Sequence, residues 1–196
     1  MEFRRALTRT ERSLLLRWVV ATTVGWVIGF AICEAVIKPI VNALTHFNSD
    51  GAVIGISIGI GQGLVLQRRI GRKSWWILAS IIGFGIGRDV SDVVAQSISG
   101  PSGTALGGLG IGSSLGLAQW LVLRRHVPDA RWWILASAIA WTIGWAIISS
   151  VDPEAAGASM AAALAVGSAG AVAAGLVTAA ALVLLLRRSP SGPAGA

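Results

Sequence analysis

The sequence predicts an all-α integral membrane protein of six transmembrane helices, built as three parallel two-helix repeats with pseudo-threefold symmetry, one repeat split across the termini. Three observations carry this reading. Hydrophobic residues make up 54% of the 196-residue chain and charged residues only 13%, about half of the roughly 25% usual in soluble domains. The apolar residues fall in long runs separated by short basic or polar stretches. One stretch also occurs twice: residues 55–87, GISIGIGQGLVLQRRIGRKSWWILASIIGFGIG, return 57 positions later as residues 112–144, GSSLGLAQWLVLRRHVPDARWWILASAIAWTIG.

A helix needs about 20 mainly apolar residues to cross roughly 30 Å of hydrocarbon. Runs at 14–36, 52–66, 75–94, 105–123, 132–150 and 157–186 qualify. The first follows a basic segment and invites comparison with a signal peptide. It is too long for a signal core and no Ala-x-Ala cleavage site follows, so a retained helix is expected. Pro153, after Asp152, suits the start of the last helix. The Pro/Gly/Ser-rich tail reads as disordered. The organisation is therefore a basic cytoplasmic segment 1–13, a six-helix transmembrane domain 14–188 and a cytoplasmic tail 189–196, with no separate water-soluble domain.

The repeat extends beyond its two obvious copies. Trp18 to Gly29 aligns with Trp76 to Gly87 and with Trp133 to Gly144, and Leu184-Leu185-Leu186-Arg187-Arg188 echoes Leu121-Val122-Leu123-Arg124-Arg125. The chain thus opens with the second half of a hairpin and closes with the first half of one. Each unit holds two crossings, so all copies share one orientation, unlike the inverted repeats of many transporters.

Fourteen of the sixteen lysines and arginines fall at one side of this topology, leaving Lys38 and Arg88 for the other. The bias of such residues toward the cytoplasm places both termini there, in a bacterial cytoplasmic (inner) membrane. Trp18, Trp75, Trp76, Trp120, Trp132 and Trp133 sit at the same boundary and read as an interfacial aromatic belt.

Small residues recur every fourth position, hence on one helix face: Gly51, Gly55, Gly59 and Gly63 in the second run, Gly108, Gly112 and Gly116 in the fourth, and Ala163, Gly167, Ala171, Gly175 and Ala179 in the sixth. Such faces allow close backbone approach in lipid, and Gly55, Gly59, Gly112 and Gly116 are expected packing positions. The segments Gly55-Ile-Ser57-Ile-Gly59 and Gly112-Ser-Ser114-Leu-Gly116 also match Gly-x-Ser-x-Gly. That motif implies a nucleophile only on a strand-to-helix turn near a histidine and an acid. Here it lies inside apolar helices, so it reads as a packing seam and no enzyme is expected.

The net charge of +7 sits in short clusters between apolar runs, not on a soluble face, which argues against nucleic acid. A single cysteine, Cys33, excludes an internal disulfide and a Cys-rich metal site. His46 and His126 fall in expected loops, against histidine-ligated haem or chlorophyll. No cofactor or metal is expected.

Six polar groups, in two sets, remain as places where function can enter. Gln62 and Gln119 hold equivalent positions inside the arginine clusters, with Leu182 in the third copy. Unpaired amides in hydrocarbon cost several kcal/mol, so they read as interhelical hydrogen-bonding groups or cavity-lining groups. At the opposite end lie Glu34, Arg88, Asp89 and Asp92. Arg88 and Asp92 are spaced four apart and are expected to pair, and the four together form a candidate vestibule for an ion or polar solute.

The Gln-x-Leu-Val-Leu-x-Arg and Trp-Trp-Ile-Leu-Ala-Ser segments resemble a family of small multi-pass membrane proteins of bacteria. The resemblance covers most of the chain and implies the location and helical fold, not an activity. Length and helix count are similar to those of the substrate-binding components of vitamin-uptake transporters of the energy-coupling-factor type, a likeness of fold alone. The expected function is a non-enzymatic membrane module that binds or passes a small solute or ion. The alternative is an accessory or assembly subunit packing against a larger membrane complex or a lipophilic cofactor. Expected partners are the lipid bilayer and a membrane protein or a second copy.

Overall fold

The computed structural model describes residues 6–40, 50–70, 73–151 and 159–188, the side chains of 68–70 excepted. Six long helices account for nearly all of them: α1 (Arg9–Ile32), α2 (Asp50–Ile70), α3 (Lys73–Ser97), α4 (Pro101–Leu123), α5 (Trp132–Ser149) and α6 (Met160–Arg188). There is no strand among the described residues. The tail 189–196, the loop carrying His46 and the start of the expected sixth span lie outside them.

Local chemistry sets the helix ends. Thr8 caps α1 in a capping box: its hydroxyl accepts from the Glu11 N–H, and the Glu11 carboxylate accepts from the Thr8 N–H, two orphan donors satisfied at once. At its other end α1 passes into a widened π turn, Cys33–Ile37, closed by the Lys38 N–H donating to the Cys33 carbonyl. Pro39 lacks an N–H and its ring crowds the carbonyl four residues back, which accounts for the widening. Between α3 and α4 the chain turns at Gly100, whose φ of 82° suits glycine, and Pro101 opens α4 at its first turn.

Each helix packs on its neighbours in chain order, and α1 packs on α6, so the six form a closed ring. Small residues line the seams. A Cβ on Gly87 would lie 2.6 Å from the Ile111 Cα, one on Gly83 2.7 Å from the Leu115 Cα, and one on Gly25 2.7 Å from the Ile58 Cα. Gly59 faces Ser80 and Ile77 of α3, Gly116 faces Ile134 and Ser137 of α5, and Gly55 and Gly112 meet the carbonyls of Ser80 and Ser137.

Five helices are long and apolar enough to cross a membrane: α1 with its extension to Ile40, α2 over Asp50–Gln67, α4, α5 and α6. The expected six spans thus become five by this measure. The exception, α3, carries Lys73, Arg88, Asp89 and Asp92 within its 25 residues, and those charges dilute its apolar run.

Candidate functional site

Two polar constellations stand out in this apolar ring, one at its centre and one toward an end.

At the centre, Trp18, Trp76 and Trp133 meet edge to face, with ring centroids 5.9, 5.7 and 6.0 Å apart. All three are fully buried, at no more than 1% exposure. This corrects the belt reading for these three. In each Trp-Trp pair the first ring, Trp75 or Trp132, is about half exposed, and the second turns into the core. Successive helical side chains point about 100° apart, which here puts one ring of each pair outward and the other inward.

Buried indoles need acceptors for their N–H groups. Trp76 Nε1 donates to Gln62 Oε1 at 3.3 Å and Trp133 Nε1 to Gln119 Oε1 at 3.0 Å. Each glutamine then reaches the helix before its own: Gln62 Nε2 donates to Thr22 Oγ1 at 3.0 Å and Gln119 Nε2 to Ser80 Oγ at 3.0 Å. Gln119 Nε2 also donates to Gln62 Oε1 at 3.2 Å, joining the two halves. Both hydroxyls pass their own protons to the carbonyl four residues back, on Trp18 and Trp76.

The third sector is solved differently. Leu182, fully buried, stands where a glutamine would complete the pattern. Trp18 Nε1 instead donates to Thr178 Oγ1 at 3.0 Å, one turn earlier on α6. Ser137, the counterpart of Thr22 and Ser80, is 1% exposed, and its Oγ has no hydrogen-bond partner. A second aromatic layer follows: Phe84 meets Trp141 edge to face at 5.1 Å, and Trp26 stacks on Phe30 at 4.9 Å while its ring abuts Gly167. Side chains thus fill the centre of the ring.

The second constellation lies beyond this layer. Arg88 pairs with Asp92 (Nη2 to Oδ1, 2.9 Å) and with Asp50 (Nε to Oδ2, 3.3 Å), and its guanidinium lies 5.7 Å from the Trp145 ring centroid. All three charged side chains are mostly buried, at 16–25% exposure. Asp50 was missed in the sequence, because only the fold brings it to Arg88, 38 positions away. Glu34 pairs with Lys38 on the extension of α1, and Asp89 is exposed on the outward side of α3. Of the four candidate vestibule residues, two therefore share one ion-pair cluster. Cys33 adjoins it, its Sγ 3.6 Å from the Asp50 carbonyl.

α2 begins at Asp50, whereas α3 continues past Arg88 to Ser97. At about 1.5 Å per residue, the α3–α4 turn stands about 8 Å beyond Asp92 and about 13 Å beyond Arg88. The ion pairs thus sit below the rim on that side. Among the described residues, no group of three or more histidine, cysteine or acidic side chains is arranged to hold a metal ion.

No protein-family model matches this chain, and no curated protein and no solved structure is significantly similar to it.

Proposed function

We propose that this chain is a non-enzymatic, multi-pass module of a bacterial cytoplasmic membrane, with both termini cytoplasmic, and that it binds a small cationic or polar solute at the end marked by Asp50, Arg88 and Asp92. The carrying observation is that cluster: two carboxylates around one guanidinium, mostly buried in an otherwise apolar ring. Charges held this far from water are costly without good partners, and a bound cation or donor group would add to the partners of the carboxylates. The filled centre supports binding over passage, because a conduit would have to displace the interlocked tryptophans.

In this reading the membrane is crossed six times, α3 included, its charges met by ion pairs within the ring. The chain is a parallel threefold repeat, which accounts for the like positions of the three tryptophans and the two glutamines. The sequence resemblance to small multi-pass bacterial membrane proteins agrees with this placement.

The test uses the full chain purified in detergent and thermal unfolding during titration with sodium, potassium or a quaternary ammonium ion. A ligand at 100 times its Kd stabilises by about 2.7 kcal/mol. A saturable, cation-selective shift that is lost in Asp50→Asn and in Asp92→Asn supports the site. Wild-type curves that no cation moves would sink it.

One observation favours the accessory-subunit reading. The outward face of α6 presents Ala161, Ala165, Ala169 and Ala180 around Val172 and Leu176, where the other helices show mainly isoleucine, leucine and valine. Since the seam glycines are used inside the ring, this alanine face is the surface such a partner, or a second copy, would meet. Native mass spectrometry of the gently extracted protein separates the readings, a retained subunit supporting the second.

A further inference from the structure

The hairpin of α4 and α5 differs from that of α2 and α3 in a way that topology does not require. A shallow groove of about 630 Å³ runs along its outer surface, lined by Leu109, Ser113, Ile134, Leu135 and Ala138 and ending at Trp132 and Arg131. A second hollow, of about 380 Å³, lies in the turn and is lined by Trp120, Arg124, Asp129 and again Arg131 among others. Arg131 lines both, so an apolar trough and a cationic, aromatic head pocket lie on either side of one side chain.

The sequence accounts for both parts. Stepping back 57 positions to the other hairpin, Ser113 and Ala138 correspond to Ile56 and Ile81. Two branched side chains have become small ones, which opens the trough. Trp120, Arg124 and Arg131 correspond to Gly63, Gln67 and Ser74, so the three side chains that shape the head pocket have no like counterpart at those positions of the other hairpin. Arg124 lies 5.1 Å over the Trp120 ring. A stacked guanidinium keeps its N–H edge available to a phosphate. Asp129 is the counter-charge, 3.8 Å from Arg131, with both side chains about half exposed or more. Such a pair is weak and screened, and the pocket retains one net positive charge.

We propose that this groove binds an anionic phospholipid, with its phosphate between Arg124 and Arg131 and an acyl chain in the trough. The trough selects a lipid over free phosphate, and the two arginines select an anionic lipid over a zwitterionic one. The proposal rests on the chain spanning a membrane and is independent of the solute site at the opposite end.

The test is native mass spectrometry of the full delipidated chain in detergent, titrated with phosphatidylglycerol or with phosphatidylcholine of the same acyl chains. Each basic residue near an anionic surface contributes about fivefold, so the preference for phosphatidylglycerol is expected to be about twentyfold. The double substitution Arg124→Gln with Arg131→Ser, which copies the other hairpin at exposed positions, should abolish the preference. Ser113→Ile should weaken phosphatidylglycerol binding several-fold with the arginines in place, and circular dichroism confirms that each variant is folded. Equal binding of the two lipids, a preference unchanged in the double variant, or displacement by equimolar inorganic phosphate would each overturn the proposal. Should the chain stay soluble without detergent, the membrane reading itself falls, a result distinct from loss of lipid selectivity.

Discussion

Gln119 is the residue whose removal reports most directly on the core. Its amide makes three hydrogen bonds: it accepts from Trp133 Nε1 at 3.0 Å and donates to Ser80 Oγ at 3.0 Å and to Gln62 Oε1 at 3.2 Å. In Gln119→Leu, Ser80 still donates to the Trp76 carbonyl, and Gln62 Oε1 still accepts from Trp76. The Trp133 N–H alone is left without a partner. A stranded buried donor costs about 1–3 kcal/mol, whereas interhelical hydrogen bonds in a membrane protein average only about 0.6 kcal/mol by double-mutant cycle. The expected loss is therefore about 1–3 kcal/mol, dominated by the indole. Trp133→Phe removes that donor in advance, so Gln119→Leu should cost about 1 kcal/mol less in the phenylalanine background. The assay is reversible unfolding of all four proteins in mixed micelles by sodium dodecyl sulfate titration. An equal cost in both backgrounds would refute the assignment of Gln119 as the acceptor of this indole.

Other substitutions extend the same logic. Leu182→Gln should fold within about 1 kcal/mol of wild type, because Ser137 Oγ awaits a partner there, whereas Leu115→Gln buries an amide at a leucine site and should cost about 2–5 kcal/mol; similar melting of the two variants would contradict the threefold pattern. Gly116→Leu and Gly59→Leu should disrupt the ring, since even a Cβ would stand 2.9 Å from the Ile134 Cα in one and 2.8 Å from the Ser80 Cβ in the other. Gly63→Ala, with nothing nearer than 3.6 Å, should be neutral or slightly stabilising, and unfolding in detergent ranks the three. Glu11→Ala should speed hydrogen exchange at the start of α1, because Glu11 holds both the Thr8 cap and Arg187 of α6; unchanged exchange there would remove that pair from the account of ring closure.

Much of this was legible in the chain, for reasons that individual residues make clear. Six apolar runs gave six helices, and the Arg88–Asp92 pair followed from a spacing of four. The helix starts were less visible: α1 begins at Arg9, earlier than its apolar run, because a capping box, not hydrophobicity, nucleates it. The buried tryptophans were misread because an indole suits an interface and a core alike. A signal was nevertheless present. The residue before Trp18 is Arg17, at the position of Trp75 and Trp132, and an arginine there obliges that side of the helix to face outward. Trp18, about 100° further round the helix, can then turn inward. Asp50 carried no such signal, since its link to Arg88 depends on how α2 crosses α3. The α4–α5 groove likewise appears only once Ser113 and Ala138 are seen side by side across two helices.

The central network also explains how so smooth a set of helices keeps its alignment. Small-residue seams let helices approach closely, but glycine and alanine faces offer little that fixes sliding along the axis. Directional hydrogen bonds supply what the seams lack, and a single buried amide can set register in helical assemblies. Gln62 ties α2 to α1 and α3, and Gln119 ties α4 to α3 and α5, so two amides align five consecutive helices. The remaining joint, where α6 meets α5 and α1, has leucine at the corresponding place and leaves Ser137 unpaired. There the alignment passes to Thr178 with Trp18 inside the ring and to Glu11 with Arg187 at its edge, the latter at 2.6 and 2.8 Å. The joint between α1 and α6 is thus held by contacts of a different kind, a hydroxyl inside the ring and an ion pair at its edge.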